Sequence, residues 1–317
     1  MHKKKPMRWL ACLLCLLLLS GCSATETPTP KPTEEVIPHQ VVYASFYPLY
    51  ALSSLILEDV PEMELRQLVQ PQDGCLRNYQ LSDWDLYQIV LNSDALILGG
   101  RGLESFESAA QALGEDGPAV ISLFQNLPLH NNGKLAADEN ASHLETENPH
   151  LYMSVRAVPQ ILENLYAYMT ELDPYFAETY AGNLDAALKQ AEALIADYDA
   201  AQEKIPTGQP VALMNEALIY PAQDLDLNVV CRIDRESGTM LYGSVLDEAI
   251  ASLKSSGATV VFLEKQAPDA LIRALQAQGF APVRLDILST GRAENGSGGY
   301  FSRMRENLAA ITAALSH

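Results

Sequence analysis

Positive charge is what this chain lacks most. Its 21 Lys and Arg stand against 40 Asp and Glu, a formal net charge of −19. Binding to nucleic acid rests on cations that neutralise phosphates, so that class of partner is excluded. Signatures of bond chemistry are missing too. The sequence holds no complete G-x-G-x-x-G, no G-x-x-x-x-G-K-[ST] and no H-E-x-x-H, which leaves dinucleotide, P-loop and zincin readings without support. GGRGLE at 99–104 lacks the last glycine, and ENGSGG at 294–299 makes no G-x-S-x-G elbow. The chain is therefore expected not to be an enzyme. The apolar run at residues 9–19 is shorter than the roughly 20 residues needed to span a bilayer.

That run follows Lys3, Lys4, Lys5 and Arg8 and ends in Leu19-Ser20-Gly21-Cys22. A basic head, a short apolar stretch and small residues form the order of a secretory signal. A cysteine directly after Ser-Gly resembles a bacterial lipobox. On that reading residues 1–21 are a signal peptide, Cys22 carries the lipid, and the protein is extracytoplasmic, anchored to the bacterial cell membrane. An ordinary signal peptide with a chance cysteine is the alternative. Cleavage would remove four basic residues and no acid, taking −19 to −23. Residues 22–38, rich in Pro, Thr and Glu, cannot bury enough surface to offset their ordering entropy and read as an extended tether.

Five cysteines become three after cleavage, one of them lipidated. Cys75 and Cys231 remain. Outside the cytoplasm they could form a disulfide or stay as separate thiols, and sequence alone cannot fix their separation.

From residue 39 onward, short apolar strands alternate with helical patterns. VVYAS, LRQLVQP, ALILGG and PAVISLF alternate with helices before residue 130; PVALMNEA, LNVVCRI, ATVVFLEK and APVRLDIL do so after 206. Such alternation implies α/β lobes with mainly parallel sheets covered on both faces. Residues 131–147 are polar and acidic and read as a surface loop. Between the halves, Asp173 as N-cap and Pro174 at the first helical position open a helix expected to run to about residue 204, roughly 45 Å at 1.5 Å per residue. The expected organisation is an N-terminal lobe at 39–172, a long linking helix at 173–205 and a C-terminal lobe at 206–317. Ligands of such sheets sit beyond the strand carboxyl ends, here across an interlobe cleft.

Several segments, in order, resemble the metal-binding (zinc/manganese type) solute-binding lipoproteins of ABC importers. They are VVYASFYPL, GCLRNYQLSDWDLYQIVLNSDALILGGRGLE, NPHLYMS, LDPYFAETYAGN, MNEALIY, RLDILSTG and GGYFSRMRENLAAITAAL. The resemblance covers residues 39–317. It implies capture of a divalent transition metal, Zn or Mn, in the cleft by a monomer and delivery to an ABC transporter permease. No catalytic cofactor is implied.

The resemblance also implies four ligand positions, and here the chain departs from the pattern. His150 in Asn148-Pro149-His150 and Asp286 in Arg284-Leu285-Asp286 are present. Asn215 stands at a third ligand position, with Glu216 beside it as a substitute donor, and Arg77 occupies the position of the first histidine. Imidazole and carboxylate suit Zn or Mn. A guanidinium has no lone pair to give, and an amide oxygen is poor for zinc. His130 and His143 are possible loop ligands. Three outcomes stay open: a rearranged metal site, a site that binds an anionic or chelated ligand through Arg77, or a degenerate paralogue acting through protein contacts. Arg77, if it points into the cleft, is expected to pair with Asp286 or Glu216.

Overall fold

The structure, a computed structural model, describes residues 39–70, 76, 79–114, 117–131, 147–291 and 299–316. Cys22, Cys75, Arg77 and His143 lie outside the described residues.

The first lobe opens with β1 (Gln40–Ala44), α1 (Tyr47–Leu57), β2 (Met63–Gln67), α2 (Asp83–Asn92), β3 (Ala95–Leu98), α3 (Glu107–Gln111) and β4 (Ala119–Ser122). Its four strands are parallel in the order β2-β1-β3-β4. The interior strand β3, ALIL, is buried at every residue, as a parallel strand covered on both faces must be. A two-residue antiparallel ladder follows, β5 (His130–Asn131) with β6 (Glu147–Asn148). It places His130 opposite Asn148 rather than in the free loop that composition suggests.

The second lobe contains β7 (Pro210–Leu213), α6 (Ile219–Asp224), β8 (Asn228–Arg232), α7 (Gly243–Ser256), β9 (Val260–Glu264), α8 (Asp269–Ala277) and β10 (Ala281–Leu285). These strands are also parallel, in the order β10-β9-β7-β8. Val261, Leu263, Leu253, Leu271 and Leu275 form the core between this sheet and its helices. The chain closes with α9 (Gly299–Leu315), which packs on β10 and returns to α1 of the first lobe.

Between the lobes run α4 (Val158–Leu172) and α5 (Ala177–Gln202). The 26 residues of α5 give a rod about 39 Å long. Its buried stripe, Tyr180, Ala187, Ala191, Leu194, Tyr198 and Ala201, keeps the three- and four-residue spacing of one helix face and meets α4, α1 and α9. The expected start is corrected in one respect. Pro174–Phe176 form a separate 3-10 turn, and Asp173 makes no side-chain cap. Its carboxylate instead accepts a hydrogen bond from the buried Tyr180 hydroxyl at 3.0 Å. The tertiary partner has won over the local one. Among the described residues no helix is long and apolar enough to cross a membrane.

Aromatic side chains and buried acids tie the lobes together. Tyr47 of α1, fully buried, sits against a cradle of second-lobe backbone. A Cβ added at Gly291 would lie 1.9 Å from its ring, and one at Gly299 would lie 1.9 Å from its hydroxyl. Only glycine admits this approach. Gln67 donates to the Gly291 carbonyl at 3.4 Å, and the Tyr300 hydroxyl donates to the Tyr152 carbonyl at 2.7 Å. Replacing Gly291 with Ala is expected to destabilise the protein by about 1–3 kcal/mol, the usual range for overpacking. Gly182→Ala on α5, where nothing lies within 4 Å, should add about 1 kcal/mol through helix propensity. Denaturant midpoints of the two variants should move in opposite directions.

Candidate metal site at the lobe junction

The chain between β6 and α4 crosses from the first lobe onto the second, and Asn148 organises the crossing. This side chain is fully buried. Its carbonyl oxygen Oδ1 accepts from the His150 backbone N–H at 3.0 Å and lies 2.8 Å from His150 Nδ1. Its amide nitrogen donates across the lobes to the Glu216 carbonyl at 2.9 Å. Its backbone carbonyl accepts from the Tyr220 hydroxyl at 2.5 Å. Because the Nδ2–H donates elsewhere, Oδ1 must be the atom facing the imidazole. The network therefore assigns the His150 proton to Nδ1 and the lone pair to Nε2. A ring held in this way by an outer carbonyl is how proteins prepare a histidine for a metal.

Glu216 meets His150 from the second lobe, with Oε1 4.0 Å from Nδ1. It begins a 3-10 turn (Glu216–Leu218) just past the carboxyl end of β7. The carboxylate lies near the Nδ1 edge, beyond hydrogen-bond distance, while Asn148 orients the ring. Joining Nε2 around one ion would require it to swing. Asn215, 5% exposed, has both ends of its amide engaged. Oδ1 caps the turn by accepting from Ala217 N–H at 3.0 Å, and Nδ2 donates to Ser237 Oγ at 3.0 Å. A donor set that used Asn215 would first have to break the cap.

Asp286 follows β10 at its carboxyl end and is 4% exposed. Oδ1 accepts from Leu288 N–H at 2.8 Å. Asn307 of α9 clamps its backbone, accepting from Asp286 N–H at 2.7 Å and donating to its carbonyl at 2.8 Å. The other carboxylate oxygen, Oδ2, faces Arg303 Nη1 at 3.0 Å and Lys265 Nζ at 3.5 Å. Asp286 thus has cationic partners that sequence reading did not name. Expectation gave that role to Arg77, which lies outside the described residues. Arg303 sits inside the quoted segment GGYFSRMREN, but only the packing of α9 on β10 brings it to the carboxylate.

His130 is set by its neighbours. Its N–H donates to the Tyr220 hydroxyl at 3.1 Å, and Nδ1 lies 2.6 Å from Gln223 Nε2, so Nδ1 accepts. Burial pushes its pKa down, with the positive charge of Arg232 adding to the effect. Cys231, half-buried, has no disulfide partner among the described residues, and burial raises its thiol pKa. Among the described residues, no three His, Cys, Asp or Glu side chains converge closely enough to hold an ion. The structure joins His150 to Glu216 and places Asp286 in a separate ion pair.

Two parallel-sheet lobes, a rod-like helix spanning them, and an imidazole and carboxylates beyond the strand ends define a class: metal-binding solute-binding proteins that serve ABC importers. The chain belongs to the zinc-uptake complex component A periplasmic (ZnuA) family, whose model matches residues 42–314. Among solved structures it is similar to the solute-binding protein FpvC of Pseudomonas aeruginosa in complex with Mn2+. The two share 25% identity with a TM-score of 0.73, over 87% of this chain and 98% of that one. It shares the fold of the Zn(II)-bound ZnuA-like domain of AdcA from Streptococcus pneumoniae (18% identity, TM-score 0.71, 88% and 99% coverage). It also shares that of the metal-dependent lipoprotein YcdH of Bacillus subtilis (18%, 0.69, 88% and 100%). No curated protein sequence matches the chain.

Close to the candidate site, Asp224 of α6 holds the same crossing segment. It accepts from Ser154 Oγ at 2.9 Å and Val155 N–H at 2.7 Å. Burial pushes its pKa up to about 6, against the lowering effect of these hydrogen bonds. The folded state therefore binds this proton more tightly than the unfolded state. The associated stability is full below the ordinary carboxylate range, near 4, and is lost as pH rises through about 6. Thermal unfolding followed from pH 4 to 7 should show this decline. Asp224→Asn, which can keep both contacts, should flatten it.

Proposed function

We propose that this chain captures a divalent transition metal, Zn or Mn, outside the cytoplasm and passes it to an ABC permease. His150 Nε2 would be the principal nitrogen donor. Glu216 and Asp286 would be the carboxylates recruited to the ion, and Asn215 a residue that tunes the turn carrying Glu216. The observation that carries this reading is the Asn148–His150 contact. It fixes the tautomer that leaves the lone pair on Nε2, which a histidine with a purely packing role does not need. Membership of the zinc-uptake family supports the same conclusion. The lipid anchor on Cys22 and the segment boundaries at 21, 38, 172 and 205 are part of the proposal. His130 is a reserve donor that would have to leave Gln223, and His143 is another.

A second reading is favoured by one feature. Asp286 is already compensated by Arg303 and Lys265. A cleft with such pairing could instead hold an anionic or chelated ligand, as in a paralogue that has given up the bare ion.

Thermal unfolding of the mature protein separates the two. Ligands that bind only the folded state raise its stability, by about 2.7 kcal/mol at a hundredfold excess over Kd. Zn or Mn is expected to raise Tm by several degrees, and His150→Ala should abolish the shift. If neither ion moves Tm while a metal–citrate chelate does, the second reading replaces the first.

A further inference from the structure

Arg303 holds a position that the capture reading does not use. Its guanidinium lies 3.0 Å from Asp286 Oδ2, in an environment where the carboxylate is 4% exposed. The same guanidinium lies over the Tyr47 ring of the first lobe, 5.0 Å from its centroid. Tyr47 is in turn held against Gly291 and Gly299. One cation therefore touches a second-lobe carboxylate and a first-lobe aromatic face at once. A captured ion would make the same kind of link between lobes.

Asp286 needs such a partner, because a buried carboxylate without a counter-charge is costly. Lys265 cannot fill the role alone. It is 60% exposed at 3.5 Å, and water screens such a pair heavily. Arg303 is the stronger partner, with a rigid planar fork and an aromatic surface beneath it. A divalent ion ligated by Asp286 would sit about 2.0–2.2 Å from the carboxylate oxygen. With Arg303 Nη1 3.0 Å from that same oxygen, the ion and the guanidinium would stand a few ångström apart and repel each other in a poorly solvated setting.

We propose that Arg303 is a resident counter-cation. It occupies Asp286 in the ion-free protein, must be displaced for a divalent ion to reach that carboxylate, and so sets the affinity for cargo. This rests on the reading above in which Asp286 is a ligand. The arrangement would restrict capture to ions that gain more from Asp286 than the guanidinium loses.

The test uses the mature chain, with Zn affinity measured by competition against a chelating dye and Tm measured with and without Zn. Arg303→Met should tighten Zn binding at least tenfold and lower the ion-free Tm, because Asp286 loses its main partner. The Zn-induced rise in Tm should grow. Adding Asp286→Asn to Arg303→Met should cancel the gain, and Lys265→Met should change affinity less than threefold. Should Arg303→Met not fold, Arg303→Gln, polar but uncharged, carries the same expectations. If the parent binds Zn and the Arg303 variants bind it no better, the competition is refuted while capture at His150 stands. If neither parent nor variants bind Zn or Mn, both readings fall together.

Discussion

The junction of this protein depends on one fully buried amide. Asn148 engages the His150 backbone and ring, the Glu216 carbonyl and the Tyr220 hydroxyl together. A buried polar group is tolerated only when it is satisfied. Satisfying this one draws the first-lobe crossing segment onto the second lobe and chooses the tautomer of the histidine. Fold and site are therefore not separable here. The hydrogen bonds that dock the lobes also decide which imidazole nitrogen has a lone pair.

Charge is handled in a consistent way beyond the strand ends. Three buried carboxylates at or after the ends of strands, Glu264, Glu104 and Asp286, are each given dedicated partners. Glu264, fully buried at the end of β9, takes both oxygens to Arg235 at 2.7 and 2.8 Å and accepts from Gly238 N–H at 3.0 Å. Glu104, near the end of β3, accepts from Ser45 Oγ and from the N–H groups of Gly99 and Gly100, yet burial still pushes its pKa to about 7. Asp286 follows the same rule through Arg303. It differs in the reach of its partner, which extends to an aromatic ring of the opposite lobe.

Most of the architecture was legible in the chain because it is written in local patterns. Apolar strands such as ALIL and VVFLE, spaced by amphipathic helices, can only become parallel sheets covered on both faces. The long helix was legible from the lack of proline between 175 and 205. Its start at Asp173-Pro174 was legible too, but not the destination of the Asp173 carboxylate, which accepts from a buried tyrosine seven residues on instead of capping the turn. The candidate site was less legible. His150 and Asp286 stand in recognisable segments, but the commitment of Asn215 to a cap and the presence of Arg303 at Asp286 depend on contacts between residues far apart in sequence. The ladder that pairs His130 with Asn148 was hidden for the same reason, since the composition of the loop says nothing of it.

The helix α5 has a consequence for how a loaded molecule could be told from an empty one. A continuous rod of 26 residues, packed against helices of both lobes, resists bending, so under the proposed function the outline of the protein would change little when cargo arrives. Information about occupancy must then travel by rotamers and local charge rather than by a closing jaw. Under the proposed function a membrane partner would read it from exposed side chains such as Lys265 beside Asp286, as one reads a dial rather than a lid.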